Sequence, residues 1–223
     1  MDVWRNRHEA GPGLPKTIGW VAALYCLGAL AISAQAQETQ TFVAKLEPVN
    51  SHVTRAQAAG EARFTVRGDT LTISIRVQGV PPGIEHWQHF HGFKDNHNAT
   101  CPTAAADTNH DGIIDLIETG PMAGTTMVPF NADPAAMDIP AGTYPKASAD
   151  GSYQYQKEVS LQALQAGFAK TLGDNDLDLD RRVVFVHGVP ASTKLPSSVA
   201  SLGPIPARVT LPIACGKIER AGR

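Results

Sequence analysis

The chain has 223 residues and a formal net charge of −2, with 43% hydrophobic and 18% charged residues. That mixed, near-neutral balance has no basic stripe and excludes an electrostatic nucleic-acid footprint. The length allows one domain with a substantial core. In chain order, Arg5, Arg7 and Lys16 precede an apolar stretch from Ile18 to Ile32, and Ala34-Gln35-Ala36 follows. This is the layout of a secretory signal ending in an A-x-A cleavage site. The stretch is short for a membrane span, no second one follows, and Cys26 behind Leu24-Tyr25 does not fit a lipoprotein box. The expectation is a signal peptide over 1–36 and an exported domain over 37–223, secreted or periplasmic and free of the membrane after cleavage.

Strand signals dominate the exported region. Thr41 to Leu46 reads as a first strand, and Ala62 to Val66 as a second. Leu71, Ile73, Ile75 and Val77 alternate with polar residues as a third, behind a turn at Arg67-Gly68-Asp69. Val183 to His187 is an apolar β-branched run, and Val209, Leu211 and Ile213 alternate before Cys215. A short helix is expected over Ser160 to Ala169, with Leu161, Leu164 and Phe168 on one face. Gly79–Gly83, Asp133–Pro145 and Gly188–Pro206 read as loops. Many short strands between turn residues predict an all-β sandwich or barrel. Without the signal, the cysteines reduce to Cys101 and Cys215. An even pair in an exported chain suggests one disulfide, the other reading being two free buried thiols.

Three histidines fall within six residues at His86, His89 and His91, in a chain with eight. On a strand, His89 and His91 leave the same face, and paired neutral imidazoles are half of a transition-metal site. The plainer reading is a polar strand end. Further on, Asp107-Thr-Asn109-His-Asp111-Gly112-Ile113-Ile-Asp115-Leu-Ile-Glu118 matches the calcium loop of an EF-hand. Asp107, Asn109, Asp111, Asp115 and Glu118 would supply side-chain oxygens and Ile113 its carbonyl. Gly112 would permit the turn, and Ile114 would anchor the loop from beneath. Pro102 and Gly120-Pro121 exclude a full helical hand and limit the exit helix to one turn. The expectation is a structural calcium clip, with a solvated Asp/Asn turn as the plainer reading. A second acidic run over Asp174–Asp180 lacks the glycine and terminal glutamate and reads as a solvated turn, a second cation site being the alternative.

Taken in order, these features resemble the copper/zinc superoxide dismutase superfamily, a Greek-key β-barrel or sandwich. The parallels are Gly79–Gly83, His89-Phe90-His91, Cys101, Val184-Phe185-Val186-His187 and Ala214-Cys215-Gly216-Lys217-Ile218, spanning Thr41 to Ile218. The resemblance implies His89, His91 and His187 as copper ligands, Cys101–Cys215 as the structural bridge, and superoxide as the substrate. A fourth ligand would be His110, by its place after Cys101, with His86 and His97 as competitors. Only His110 lies between Cys101 and His187, so the family's zinc site is not expected and copper alone is implied. Pro212 replaces the family's anion-attracting arginine, with Arg208 further back, and Lys194 is the single charge between Gly188 and Pro206. Electrostatic steering by that loop should therefore be weak.

Gly60 to His91 also resembles a chordin-type domain, a related sandwich that would serve as a non-catalytic binding module. A third reading, copper storage or delivery, would draw on Met122, Met127 and Met137. Convergence of the His89, His91 and His187 nitrogens to within about 4 Å would favour a shared metal over the binding module.

Overall fold

A computed structural model describes residues 38–55, 57–174 and 176–222; the expected signal peptide lies outside them. Apolar alternation generates the strands. In β3 (Thr70–Gln78) Leu71, Ile73, Ile75 and Val77 are buried while their neighbours face outward. The same period places Phe42, Ala44 and Leu46 of β1 (Thr39–Pro48), and Ala62 and Phe64 of β2 (Ala59–Arg67), in the core. The β2–β3 turn needs a left-handed residue, which Gly68 supplies at φ 58°. The remaining strands are β4 (Gln88–Gly92), β5 (Thr125–Pro129), β6 (Ser152–Ser160), β7 (Val183–His187) and β8 (Pro212–Arg220).

All pairings are antiparallel, in the order β5-β4-β7-β8-β1-β2-β3-β6. The β8–β1 pairing joins two four-stranded halves. The neighbours β3–β6 and β4–β7 are separated in sequence, so the chain crosses between the halves in Greek-key fashion. The sheet curls around one hydrophobic core that draws on both halves, including Phe64, Ile73, Phe90, Val184, Val186 and Ile218. The expected all-β Greek-key sandwich or barrel is the fold observed.

Among the described residues four short α-helices decorate it: α1 (Ser51–Thr54), α2 (Leu116–Ala123), α3 (Leu161–Leu172) and α4 (Ala207–Thr210). In α3, Leu164 and Phe168 are buried as the sequence predicts. Ser160 Oγ caps the helix by accepting from Ala163 N, and Asp69 of the β2–β3 turn accepts from Ser160 Oγ and Gln162 N.

Three sequence expectations are corrected. Val209 and Leu211 do not begin the last strand: α4 and its C-cap take those positions, and β8 starts at Pro212 and continues past Cys215. The helix after the 107–118 loop runs eight residues through Pro121 rather than stopping after one turn. A capping box nucleates it: Asp115 accepts from Ile117 N and Glu118 N, while Glu118 accepts from Asp115 N. Beneath that loop it is Ile113, not Ile114, that enters the core. Ile114 instead exchanges main-chain hydrogen bonds with the Asn50 side chain.

Candidate metal centre

The histidines stand on the outer face of the β5-β4-β7-β8 half, opposite the core. Along β4, Phe90 turns into the core, and Gln88 bonds Phe130 O and Tyr153 Oη, while His89 and His91 turn the other way. β7 lies beside β4 with His89 opposite Phe185 and His91 opposite Val183. One step beyond that register, His187 N donates to Trp87 O at 2.8 Å, so Trp87, His89, His91 and His187 share one face. Bulges fall beside both outer histidines, between Phe90 and His91 against β5 and between Val186 and His187 against β8. Such irregularities re-aim a side chain out of the regular pleat. Gly188, at φ 116°, carries the chain away where an added Cβ would meet Glu85 O at 3.2 Å.

The ring centroids of His89 and His187 are 4.6 Å apart, and those of His89 and His91 4.8 Å. One ligating nitrogen from each residue lies within 4.8 Å of the others. Metal–nitrogen bonds of about 2.0–2.1 Å set ligand nitrogens roughly 3.4 Å apart, so the trio is somewhat wider than a closed site and wider than the 4 Å expected from sequence. Three buried atoms in it lack any hydrogen-bond partner: His89 Nδ1, His91 Nδ1 and His187 Nε2. Buried polar atoms are normally paired, and three buried rings that each keep an unpartnered nitrogen and lie this close make a coherent candidate donor set for an ion.

The second contacts fix the rings. His187 Nδ1 donates to Thr210 O at 2.7 Å, which leaves Nε2 as the free lone pair. His91 Nε2 meets the Thr126 hydroxyl at 3.2 Å. The residues are 7%, 7% and 5% exposed for His89, His91 and His187. Burial, reinforced by His187, pushes His91 down to about 3. Burial pushes His187 down to about 4, and burial with the neighbouring His187 and His91 carries His89 well below the ordinary histidine value. Neutral imidazoles are the form that ligates metal.

These rings open into a pocket of about 250 Å³. Its walls are Trp87, Leu116, Ile139, Leu202 and Val209, with Thr125, Thr126 and Thr210 as hydroxyl-bearing residues; among the described residues no Asp, Glu, Lys or Arg lines it. Met122, Met127 and Met137 do not line it either. Trp87 stacks on Tyr144 at 5.0 Å between ring centroids.

The other sequence candidates go elsewhere. His86 is buried beside His187, its ring nitrogens 3.0 Å from His187 O and 2.9 Å from Pro81 O. It braces the end of β7 and does not enter the donor set. His97 is exposed, stacked on Phe93 and bonded to Asp95. His110 is exposed at φ 58° and does not join the trio.

In the 107–118 loop the side-chain oxygens are engaged by the chain itself. Asp107 accepts from Asp111 N and Gly112 N, Asn109 from Asp111 N, and Asp111 from Ile113 N and from Ser198 Oγ. Glu118 accepts from Thr108 N and Asn109 N, and Asp115 accepts from Ala200 N in addition to its helix cap. Among the described residues, the histidine trio is the group of three or more potential ligand side chains whose donor atoms converge; the loop carboxylates are not so gathered.

Cys101 and Cys215 form the expected disulfide. It ties the segment after β4 to β8 over a satellite cluster of Val49, Ala99, Ala123, Val183, Phe185 and Cys215.

Sequence reasoning missed Asn50 and Thr210. Asn50 is buried in a left-handed conformation at φ 54°, and donates to Ile114 O at 2.8 Å and to Pro212 O at 3.0 Å. It thereby links the 107–118 loop to the strand start that faces His187. An asparagine after an apolar strand carries no signal of that partnership, and Thr210 acts only through its carbonyl.

No family model matches the chain, and no curated protein matches it. Among solved structures it is similar to a Cu/Zn superoxide dismutase from Brucella abortus, at 22% identity and a TM-score of 0.43, over 82% of this chain and 100% of that one. At that level the likeness carries no inference about metal or activity.

Proposed function

We propose that the chain is an exported copper-binding protein of superoxide dismutase-like architecture, with His89, His91 and His187 holding one copper ion. The observation that carries this reading is the clustering of three buried histidines from two adjacent strands, each with one ring nitrogen within 4.8 Å of the others' and each with one ring nitrogen left unpartnered. Copper would supply one-electron reduction and oxidation, the chemistry of superoxide dismutation. The chain's own part is to hold three neutral imidazoles, to orient His187 through Thr210 O, and to exclude bulk water with apolar walls. Export is supported by the leader-like N-terminus and the Cys101–Cys215 bridge. Among the described residues no helix is long and apolar enough to cross a membrane.

The test is elemental analysis of the purified protein, followed by a superoxide-consumption assay of the copper-loaded form. One copper per chain is expected, lost in His89→Ala and His187→Ala. Retention of copper in both variants sinks the assignment. A second reading, copper held without turnover, is favoured by the absence of any cationic residue among the described residues of the pocket lining; copper at one per chain with no superoxide consumption selects it.

The 107–118 loop belongs to the same proposal as a structural calcium clip. Support comes from the residue types at its diagnostic positions and from Gly112 at φ 82°. A calcium chelator, or Asp107→Ala, is expected to lower the melting temperature without releasing copper. An unchanged melting curve on chelation rejects the ion.

A further inference from the structure

Resting on the metal-centre reading, we propose that the histidine pocket favours monovalent copper over divalent copper and over zinc. Three neutral imidazoles bring no charge to an ion. The groups behind them are also uncharged: Thr210 O accepts from His187, the Thr126 hydroxyl meets His91, and the buried His86 lies against His187 O. Among the described residues no carboxylate lines the pocket, and its walls are Trp87, Leu116, Ile139, Leu202 and Val209. Any ion seated there keeps its whole charge in an apolar surround.

The cost of taking an ion out of water grows with the square of its charge. A divalent ion therefore suffers about fourfold the penalty of a monovalent one of similar size. Three histidines backed by carbonyls can also hold a divalent ion; what disfavours it in this pocket is the uncharged, apolar surround. Ligand number points the same way. Divalent copper prefers a tetragonal arrangement of nitrogen and oxygen donors, whereas the described residues gather three imidazole nitrogens and no fourth His, Cys, Asp or Glu.

The experiment measures both affinities of the metal-free full chain in chloride-free buffer. Bathocuproine disulfonate competes anaerobically for Cu(I), nitrilotriacetate competes for Cu(II) and Zn(II), and a redox titration follows the Cu(II) paramagnetic signal. Cu(I) should bind at least 100-fold more tightly than Cu(II). That ratio places the midpoint potential about 120 mV above the aqueous couple, at 59 mV per tenfold for one electron. Equal or tighter Cu(II) or Zn(II) binding overturns the preference while leaving a metal centre in place. Binding of no ion in a manner sensitive to His187→Ala overturns the metal-centre reading itself. Leu202→Glu tests the cause, because Leu202 lines the pocket yet is 44% exposed and tolerates a charge. It should reduce the Cu(I)-to-Cu(II) ratio at least fivefold; an unchanged ratio overturns the electrostatic explanation.

Discussion

Each histidine of the trio combines two properties that rarely occur together: an unpaired ring nitrogen and nearly complete burial. Their folded-state values, about 3 for His91 and about 4 for His187, lie below the 6.5 of a solvated ring. The unfolded chain therefore binds protons that the folded chain refuses, and stability rises with pH. The contribution is fully present above about pH 6.5 and declines as pH falls from there toward the folded values. Metal-free protein should accordingly show a falling urea midpoint from pH 7 to pH 5. The slope should flatten in His91→Phe, which removes one such ring; a slope indifferent to that change sinks the account. Trp87 offers a direct reporter. Trp4 and Trp20 fall in the expected signal peptide, which leaves Trp87 as the exported domain's tryptophan, on the wall of the same pocket. Copper should quench its emission, and His89→Ala should abolish the quenching. The two-residue period of a strand makes His89 and His91 legible as partners from the sequence alone. Nothing local could announce that His86, three residues earlier, turns instead to Pro81 and His187 carbonyls.

At the scale of elements, the 107–118 loop joins parts of the chain that its motif does not mention. Asp111 and Asp115 anchor Ser198 and Ala200, in the segment that brings Leu202 to the pocket. Leu116, the first residue of α2, lines the same pocket. Asp115 thus serves as helix cap, loop position and anchor at once. Its replacement by alanine should cost about 1–2 kcal/mol from the lost cap alone, a fall of roughly 4 °C in melting temperature for a domain of this size. It should also expose the 196–202 backbone to faster amide exchange, whereas unchanged exchange there would remove the anchoring role. From the sequence Asp115 and Glu118 read as ion ligands only; that they also form the capping box of the exit helix came from the structure. The second turn of that helix was not legible either, because Pro121 argues against it by local rules.

For the whole molecule, the Cys101–Cys215 bridge closes a separation of 114 residues. In the chain-entropy model, closing a loop of that length removes unfolded-state freedom worth about 4.7 kcal/mol. Reductant should lower the unfolding midpoint sharply. The two thiols should resist alkylation until reduction, and full reactivity beforehand would contradict the bridge. The bridge also bears on the site, since Cys215 lies opposite Phe185 in the β7–β8 register and both pack in the satellite cluster beneath the covering loops. Loss of the disulfide should therefore weaken copper binding as well as stability.

Taken by itself, the sequence determined the all-β class, the β2–β3 hairpin, the α3 face, the paired cysteines and the His89–His91 pair. All of these follow from short-range periodicity, turn chemistry and cysteine arithmetic. Not foreseen were β5, which is too short to show a period, β6, whose alternation of Tyr153, Tyr155 and Val159 with polar residues went unread, and the helical turn at Ala207–Thr210 that precedes β8. Tertiary structure alone decided that His187 comes to the same face as His89 and His91 and that His110 does not. That outcome depends on the β4–β7 pairing and on two bulges, which are non-local choices of register. A histidine's value as a ligand depends on which nitrogen is left unpaired and where it points, and the fold sets both.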